Sequence, residues 1–370
     1  MMQYLALFLF AYAFISLVLP LPCRWYWKVL TLPFLALCAS KSQIYNHFGT
    51  WLNPNLPVPV IISLEILFAA LLIAVFFALI KDVCFLGYSA ASWAMHDKLR
   101  PWPTSWISLG IALVSLGQAA YGTFSQFSLP EVKVQPVMVK NLPPKLQGTR
   151  LVQLSDLHIG PLLKGEFLTK VVARVNELHP DVVLLTGDLV DGAVRDVAPE
   201  FAALDKLQAT WGVLGVTGNH EYYSGMTAWV DEFERHGVDF LFNEARIFTQ
   251  DNGSIKIAGV PDRGADVAAA LAGPTADFTL LMAHRPRVAL DATGADLTIA
   301  GHTHGGSMFF LQPIVGHFND NLVSGMYDLD KRQVYVSNGT GIWSGFSCRF
   351  GVPAEITCFV LVPEATTVAP

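Results

Sequence analysis

Residues 181–191 read Asp-Val-Val-Leu-Leu-Thr-Gly-Asp-Leu-Val-Asp. Four consecutive apolar residues, two of them β-branched, leave no polar face, so the run reads as a strand buried on both sides. A glycine ends it, and two carboxylates follow where the chain would leave the sheet. The same grammar recurs. Arg150–Ser155, Gly212–Val216, Thr279–Ala283 and Leu297–Ala300 read as buried strands, each followed by polar residues. Gly165–Leu178, Pro199–Gln208 and Thr227–His236 read as helices between them. Ile255–Val260, Gln333–Ser337 and Glu355–Leu361 add strands. Such alternation predicts an α/β layered domain.

The polar clusters carry the chemistry. They are Ser155-Asp156-Leu157-His158, Gly187-Asp188-Leu189-Val190-Asp191, Gly218-Asn219-His220-Glu221, Ala283-His284-Arg285-Pro286 and Gly301-His302-Thr303-His304-Gly305-Gly306. Loops at the carboxyl ends of strands are where open α/β sheets place their ligands, so residues far apart in sequence can share one pocket. Carboxylates, imidazoles and one amide, without thiolate, suit divalent transition ions. Asp-x-His and His-x-His each point two ligands to one side of an extended segment, because alternate side chains share a face. An Asp between two such arms can bridge two ions. Any one cluster alone reads as surface polarity or a helix cap; five in series, each after a β run, do not.

The order D-x-H, G-D-x-x-D, G-N-H-E, H, G-H-x-H resembles the calcineurin-like metallophosphoesterases over about residues 149–362. Leu142-Pro143-Pro144, Gln153–Gly160, Gly301–Gly306 and Arg349-Phe350-Gly351 look closest to the bacterial membrane-associated branch. The resemblance implies a four-layer αββα sandwich with two mixed sheets. It implies two divalent ions, drawn from Mn, Fe and Zn. Asp156, His158 and His304 would hold the first, Asp188 would bridge, and Asn219, His284 and His302 would hold the second. His220 would face the scissile phosphate as acid or charge stabiliser. A hydroxide bridging the ions would attack a phosphoester or pyrophosphate bond. Asp191 and Glu221 read as residues that orient the ligands, and Arg285 as a phosphate contact or a surface ion pair. His179 and His317 read as solvated loop or helix-end residues. Tyr222, Tyr223 and Trp343 read as packing or rim aromatics.

The first third of the chain differs. The protein has 370 residues, 52% hydrophobic and only 15% charged, against about 25% charged in a soluble domain. Residues 1–128 carry six Lys/Arg and three Asp/Glu, net +3; the remainder carries eighteen against twenty-seven, net −9. Apolar runs at about 3–20, 26–43, 58–80 and 105–124 predict a bundle of about four membrane-spanning helices. Residues 129–148 follow as an extended linker and 149–370 as the catalytic domain. With four spans, Arg24, Lys28, Lys81, Lys98 and Arg100 fall on one side, and Lys41, Lys133 and Lys140 on the other with the catalytic domain. The positive-inside rule then places that domain outside the cytoplasm. Glu65 lies within an apolar run and no second intramembrane charge stands out, so a neutral, hydrogen-bonded carboxyl is expected. The five cysteines are scattered and predict free thiols, Cys348 and Cys358 included.

No basic stripe with interleaved aromatics is present, so nucleic acid is not an expected partner. The expected protein is a multi-pass membrane phosphoesterase acting on a phosphate-containing small molecule or lipid. A narrower alternative is an enzyme like UDP-2,3-diacylglucosamine pyrophosphatase of lipid A synthesis. Its cytoplasmic substrate conflicts with the orientation read from charge. An inactive membrane sensor or scaffold is the alternative from another class; it would show lost ligands, and here every ligand position is filled.

Overall fold

The computed structural model describes residues 2–95, 102–330 and 332–364, so Lys98 and Arg100 of the orientation count lie outside the described residues. The chain forms two compact units, Met1–Ser125 with Gly345–Phe350, and Gln126–Ser344 with Gly351–Pro370.

The first unit is helical. It comprises α1 (Met2–Ala13, continued by a wider turn to Val18), α2 (Trp25–Leu30), α3 (Leu32–Ala39), α4 (Lys41–His47), α5 (Val58–Ala94) and α6 (Thr104–Phe124). Among the described residues, α5 and the helix over Thr104–Phe127 are long and apolar enough to cross a membrane. The apolar stretches Tyr4–Val18 and Trp25–Ala39 are shorter. The second is broken at Thr31, where α3 begins with Pro33 in its first turn, a position proline tolerates. Leu9, Ala13, Leu17, Cys38, Leu71, Leu72, Val75 and Ala78 form this unit's apolar core.

Three charged residues in this unit depart from expectation. Lys81 and Asp82 were expected to end the third span, yet α5 continues to Ala94. Lys81 is buried, donates to the Ser16 carbonyl and pairs with Asp82 at 3.1 Å. Asp82 accepts from Ser16 Oγ at 2.6 Å and Tyr12 Oη at 2.7 Å. With their polar atoms satisfied inside the bundle, the helix need not stop. Glu65 has a charged partner after all: its carboxylate lies 3.0 Å from Lys41 Nζ, both side chains buried.

The second unit holds two six-stranded sheets. The first is ordered β1 (Glu131–Val139), β12 (Glu355–Pro363), β2 (Arg150–Leu154), β3 (Val182–Leu185), β4 (Val213–Gly215) and β5 (Val238–Phe240). Only the β12–β2 pair is antiparallel. The second is ordered β10 (Gly325–Leu329), β11 (Arg332–Val336), β9 (Leu297–Ala300), β8 (Phe278–Met282), β7 (Gly253–Gly259) and β6 (Glu244–Gln250). Its outer pairs are antiparallel and its inner ones parallel.

Strand alternation sorts the core into layers. Leu151, Val182 and Leu184 face Ile255, Ile257, Phe278, Leu280 and Leu297 between the sheets. Their neighbours Val152, Leu154, Val183 and Leu185 turn outward. They meet Leu168 and Val171 of α7 (Gly165–Asn176) and Trp229 and Phe233 of α10 (Met226–Arg235). The short helices α8 (Val194–Val197) and α9 (Asn219–Ser224) lie between those two in sequence. On the far face, Ala258 and Leu281 pack on Ala270 of α11 (Val267–Leu271). This is helix, sheet, sheet, helix.

Three local expectations change. The stretch 129–148 contains β1, an edge strand that carries Pro136; an edge accommodates a missing N–H. The helix expected over Pro199–Gln208 runs as a 3₁₀ helix over Ala198–Lys206. Three residues per turn puts buried Phe201 and Leu204 on one face. His317, expected in irregular chain, lies in α12 (Gln312–Phe318).

Candidate metal centre

All eight predicted site residues stand at or just past strand ends, and all are buried except half-buried His302. Asp156 and His158 follow β2, Asp188 follows β3, Asn219 and His220 begin α9 after β4, His284 follows β8, and His302 and His304 follow β9. The backbone is unusual here. Asp156 (φ 54°), His158 (48°), Asp188 (54°), His302 (71°) and His304 (49°) all occupy the left-handed region. That costs non-glycine residues about 1–3 kcal/mol each and persists where the surroundings impose it, characteristically at functional sites.

Two groups form. In the first, His158 Nε2 and His304 Nε2 lie 3.2 Å apart, and Asp156 Oδ1 lies 3.9 and 3.4 Å from them. In the second, His284 Nε2 lies 3.2 Å from His302 Nδ1 and 3.1 Å from Asp188 Oδ2. The same Asp188 oxygen lies 3.9 Å from His158 Nε2, so it stands between the groups. Asn219 Oδ1 and His302 Nε2 both contact the Arg285 guanidinium at 3.2 Å, which places the amide beside the second group.

A surrounding set fixes these atoms. His284 Nδ1 lies 2.9 Å from the Thr186 carbonyl, so that nitrogen donates there and Nε2 is the atom turned toward Asp188. Asp191 Oδ1 lies 2.5 Å from His220 Nδ1 and 3.2 Å from His158 Nδ1. Glu221 accepts from the N–H groups of Asp188, Leu189 and Gly218 at 2.9, 2.6 and 2.6 Å. Arg285 is held by Asp262 at 2.6 Å, a brace no sequence signal announced. Trp343 and Tyr223 flank His220, with ring centroids 5.9 and 5.5 Å away. Tyr222 instead lies under Arg263, and His179 is exposed beyond α7. Two glycines let the loops approach. A Cβ on Gly218 would strike the Asp188 carboxylate, and one on Gly301 would strike Ser155 and Asp156.

The charged groups of the cluster act strongly on one another. Burial alone would raise the Asp188 pKa, but His284 and His220 outweigh it and hold the carboxyl well below the usual range. Burial would lower the two histidines, and the Asp188 charge reverses this: His220 is pushed up to about 9 and His284 to about 10. His302 goes the other way, to about 3, through burial and then the His284 charge. The residues fit a pair of divalent ions. Two pairs of imidazole nitrogens face one another at 3.2 Å, where lone pairs repel unless a cation or proton intervenes. Each pair has a carboxylate oxygen within reach, and the donors are nitrogen and oxygen throughout.

A doubly layered α/β fold with an Asp/His/Asn cluster at its strand ends defines a class of two-sheet α/β proteins with a candidate metal centre. Comparison places this chain in it. Residues 149–306 match the family described as calcineurin-like phosphoesterase. An uncharacterised metallophosphoesterase of Campylobacter jejuni is 36% identical over 61% of this chain and 62% of its own length. A transmembrane protein with metallophosphoesterase domain from Danio rerio is 34% identical over 66% of this chain and 60% of its own. The similarly described Bos taurus protein is 31% identical over 92% and 81%. This chain belongs to the calcineurin-like metallophosphoesterase family. It spans about three-fifths of the C. jejuni and D. rerio relatives, and the likeness extends to animals as well as bacteria. Among solved structures, a dimetal phosphatase from D. rerio covers 52% of this chain and 88% of its own at TM-score 0.31 and 12% identity.

Proposed function

We propose that the protein is a membrane-anchored, two-metal hydrolase of a phosphoester or pyrophosphate bond. Asp188 Oδ2, 3.1 Å from His284 Nε2 and 3.9 Å from His158 Nε2, carries this reading, because one carboxylate oxygen serves both ligand groups. Asp156, His158 and His304 would hold one ion, Asn219, His284 and His302 the other, with Asp188 shared. The donor set favours Mn, Fe or Zn.

When bound, two such ions polarise a phosphoryl oxygen and activate the attacking water. The remaining work falls to the chain. Asp191 takes the Nδ1 proton of His220 in a hydrogen bond, which turns Nε2 toward the shared carboxylate at 3.8 Å. His220 Nε2 then holds a proton for the leaving oxygen. Glu221 ties the Asp188 and Gly218 loops together. Trp343 and Tyr223 wall off one side of His220 from water. A filled ligand set argues for an enzyme over an inactive scaffold.

The membrane reading rests on α5, on the helix over Thr104–Phe127, and on relatives described as transmembrane proteins. Tyr4–Val18 and Trp25–Ala39 would supply the remaining apolar segments of a multi-pass anchor. A lipid-linked phosphate suits such an anchor; the sequence count of positive loops puts the domain outside the cytoplasm, with Lys81 and Lys41 of that count buried inside the helical unit. A reporter fused after Pro370 tests this, and a cytoplasmic reporter signal would reverse the placement.

The function is tested on a panel of phosphodiesters, pyrophosphates and lipid phosphates with wild type, Asp188→Ala and His220→Ala. Asp188→Ala should lose activity and bound metal. His220→Ala should keep metal and lose about 10²–10⁴-fold in rate, the usual worth of a positioned acid. Equal rates in all three proteins would refute the mechanism.

A further inference from the structure

The helical unit holds an apolar cavity of about 300 Å³. It lies among α1 and its continuation (Ala13, Leu17), α3 (Phe34), α5 (Ala74) and α6 (Ala112). Ala13, Ala74 and Ala112 come from three different helices, and their short side chains leave the room. Thr31 also borders the space, but its hydroxyl is engaged with the Lys28 carbonyl at 2.7 Å. An apolar cavity stays dry and takes an apolar guest, and this volume meets the lower end of ligand pockets, about 300 Å³. Phe34 and Leu113 on its border are exposed, so a guest can enter from the side of the bundle.

One end of the cavity carries positive charge. Leu17 and Val18 border it, and Lys28 Nζ donates to the carbonyl of the next residue, Leu19. Ser105 Oγ of α6 donates to the Pro20 carbonyl at 2.9 Å, so α2, α6 and the end of the first helix meet here. Arg24 lies four residues before Lys28, and residues 1–56 contain no Asp or Glu. Among the described residues, Arg24 contacts Tyr26 Oη at 3.5 Å and Lys28 the Leu19 carbonyl, neither of them a carboxylate.

A second observation sets the level of this end. Trp25, Tyr26 and Trp27 stand between the two cations in sequence, Trp106 follows Ser105, and all four aromatic residues are exposed. Trp and Tyr gather where membrane meets water. That puts Arg24 and Lys28 at headgroup height, with the cavity reaching from them toward hydrocarbon. A slender apolar chain with an anionic head suits both ends.

We propose that this cavity binds one acyl chain of an anionic phospholipid, whose phosphate is held by Arg24 and Lys28. Both side chains carry donors and no acceptor, and a phosphate answers them with charge-assisted hydrogen bonds. The site rests on the membrane reading above and on no step of catalysis.

The experiment reconstitutes the full chain in vesicles of phosphatidylcholine and phosphatidylglycerol in equal parts. Flotation with the vesicles on a density gradient tests the membrane reading by itself. Extraction in mild detergent and native mass spectrometry then identify the retained lipid. Wild type should float and retain one phosphatidylglycerol, favoured over phosphatidylcholine by about tenfold or more, the joint effect of two basic residues near the surface. Ala112→Phe from α6 and Ala70→Leu from α5 both fill the cavity; each should float, elute as wild type does and lose the lipid. Arg24→Gln/Lys28→Gln should retain either lipid without preference. Wild type that floats yet retains no lipid, or filled variants that retain as much as wild type, would overturn the cavity as the site. An unchanged preference in the double variant would overturn the role of the two cations. Failure of wild type to float would overturn the membrane reading, and this site with it.

Discussion

Asp191 Oδ1 stands 2.5 Å from His220 Nδ1, on the ring nitrogen turned away from Asp188. The same oxygen reaches His158 Nδ1 at 3.2 Å. One carboxylate thus orients both a ligand of the first group and the residue proposed to face the leaving oxygen. Groups of this kind usually cost about 10–100-fold in metal affinity or activity when removed. Asp191→Ala should lose that much in kcat/KM and bind the first ion more weakly. Asp191→Asn, which keeps an acceptor without the charge, should fall between. Metal titration beside steady-state kinetics checks both, and an unimpaired Asp191→Ala would show that the two rings are held by packing alone.

Glu221 gathers three backbone N–H groups from two loops, those of Asp188, Leu189 and Gly218. Glutamine preserves the volume but turns an NH₂ group toward at least one donor. A hydrogen bond to a charged acceptor contributes about 1.5–3 kcal/mol, and an unmade buried one costs a similar amount. Glu221→Gln should therefore be destabilised by about 2–3 kcal/mol in thermal or urea unfolding, with lower metal content. Unfolding like wild type would mean the loops are fixed without it.

These two residues show how far the sequence could be read. The cluster residues were legible because each lies just past an apolar run, and strand ends of one sheet edge converge. Asp191 and Glu221 share those runs, so their places beside the cluster were legible too. The Arg285–Asp262 brace was not, because a single Asp in a loop carries no periodic signal. Nor was the Lys41–Glu65 pair: Lys41 lies outside the apolar window that makes Glu65 conspicuous, and only packing of α4 on α5 joins them. Edge strands β6 and β10 escaped because their exposed positions dilute the apolar run, β5 because it has only 3 residues, and β1 because four prolines within residues 129–148 suggest a connector. The two sheets themselves followed from strands whose apolar faces are continuous.

Metal uptake should displace protons. Asp188 raises His284 to about 10 against the opposing effect of burial, so at neutral pH the ring is charged until an ion displaces one of its protons. Binding then releases that proton, and apparent affinity must fall as pH falls. In weakly buffered solution, adding Mn²⁺ or Zn²⁺ to chelator-stripped protein should release protons, and the dissociation constant should rise from pH 8 to pH 6. Binding of ions also favours the folded state by mass action, so a chelator should lower the melting temperature. A dissociation constant flat across this range would contradict the charge distribution.

Gly301 offers a steric test that leaves every ligand in place. It joins β9 to His302, and a Cβ there would run into the Ser155 hydroxyl and the Asp156 carboxylate. The His302 N–H lies 3.2 Å from both Asp156 oxygens, so the ends of β2 and β9 touch at this point. Alanine must push them apart, carrying His302 and His304 away from Asp156. Misplacement of about 1 Å can cost up to about 10²-fold in rate. Gly301→Ala should therefore keep its circular dichroism while losing bound metal and about 100-fold or more in turnover. Gly110→Ala, where nothing lies within 4 Å of the added carbon, controls for the exchange itself. If Gly301→Ala binds two equivalents of metal and turns over normally, close approach of the two strand ends is not what assembles the centre.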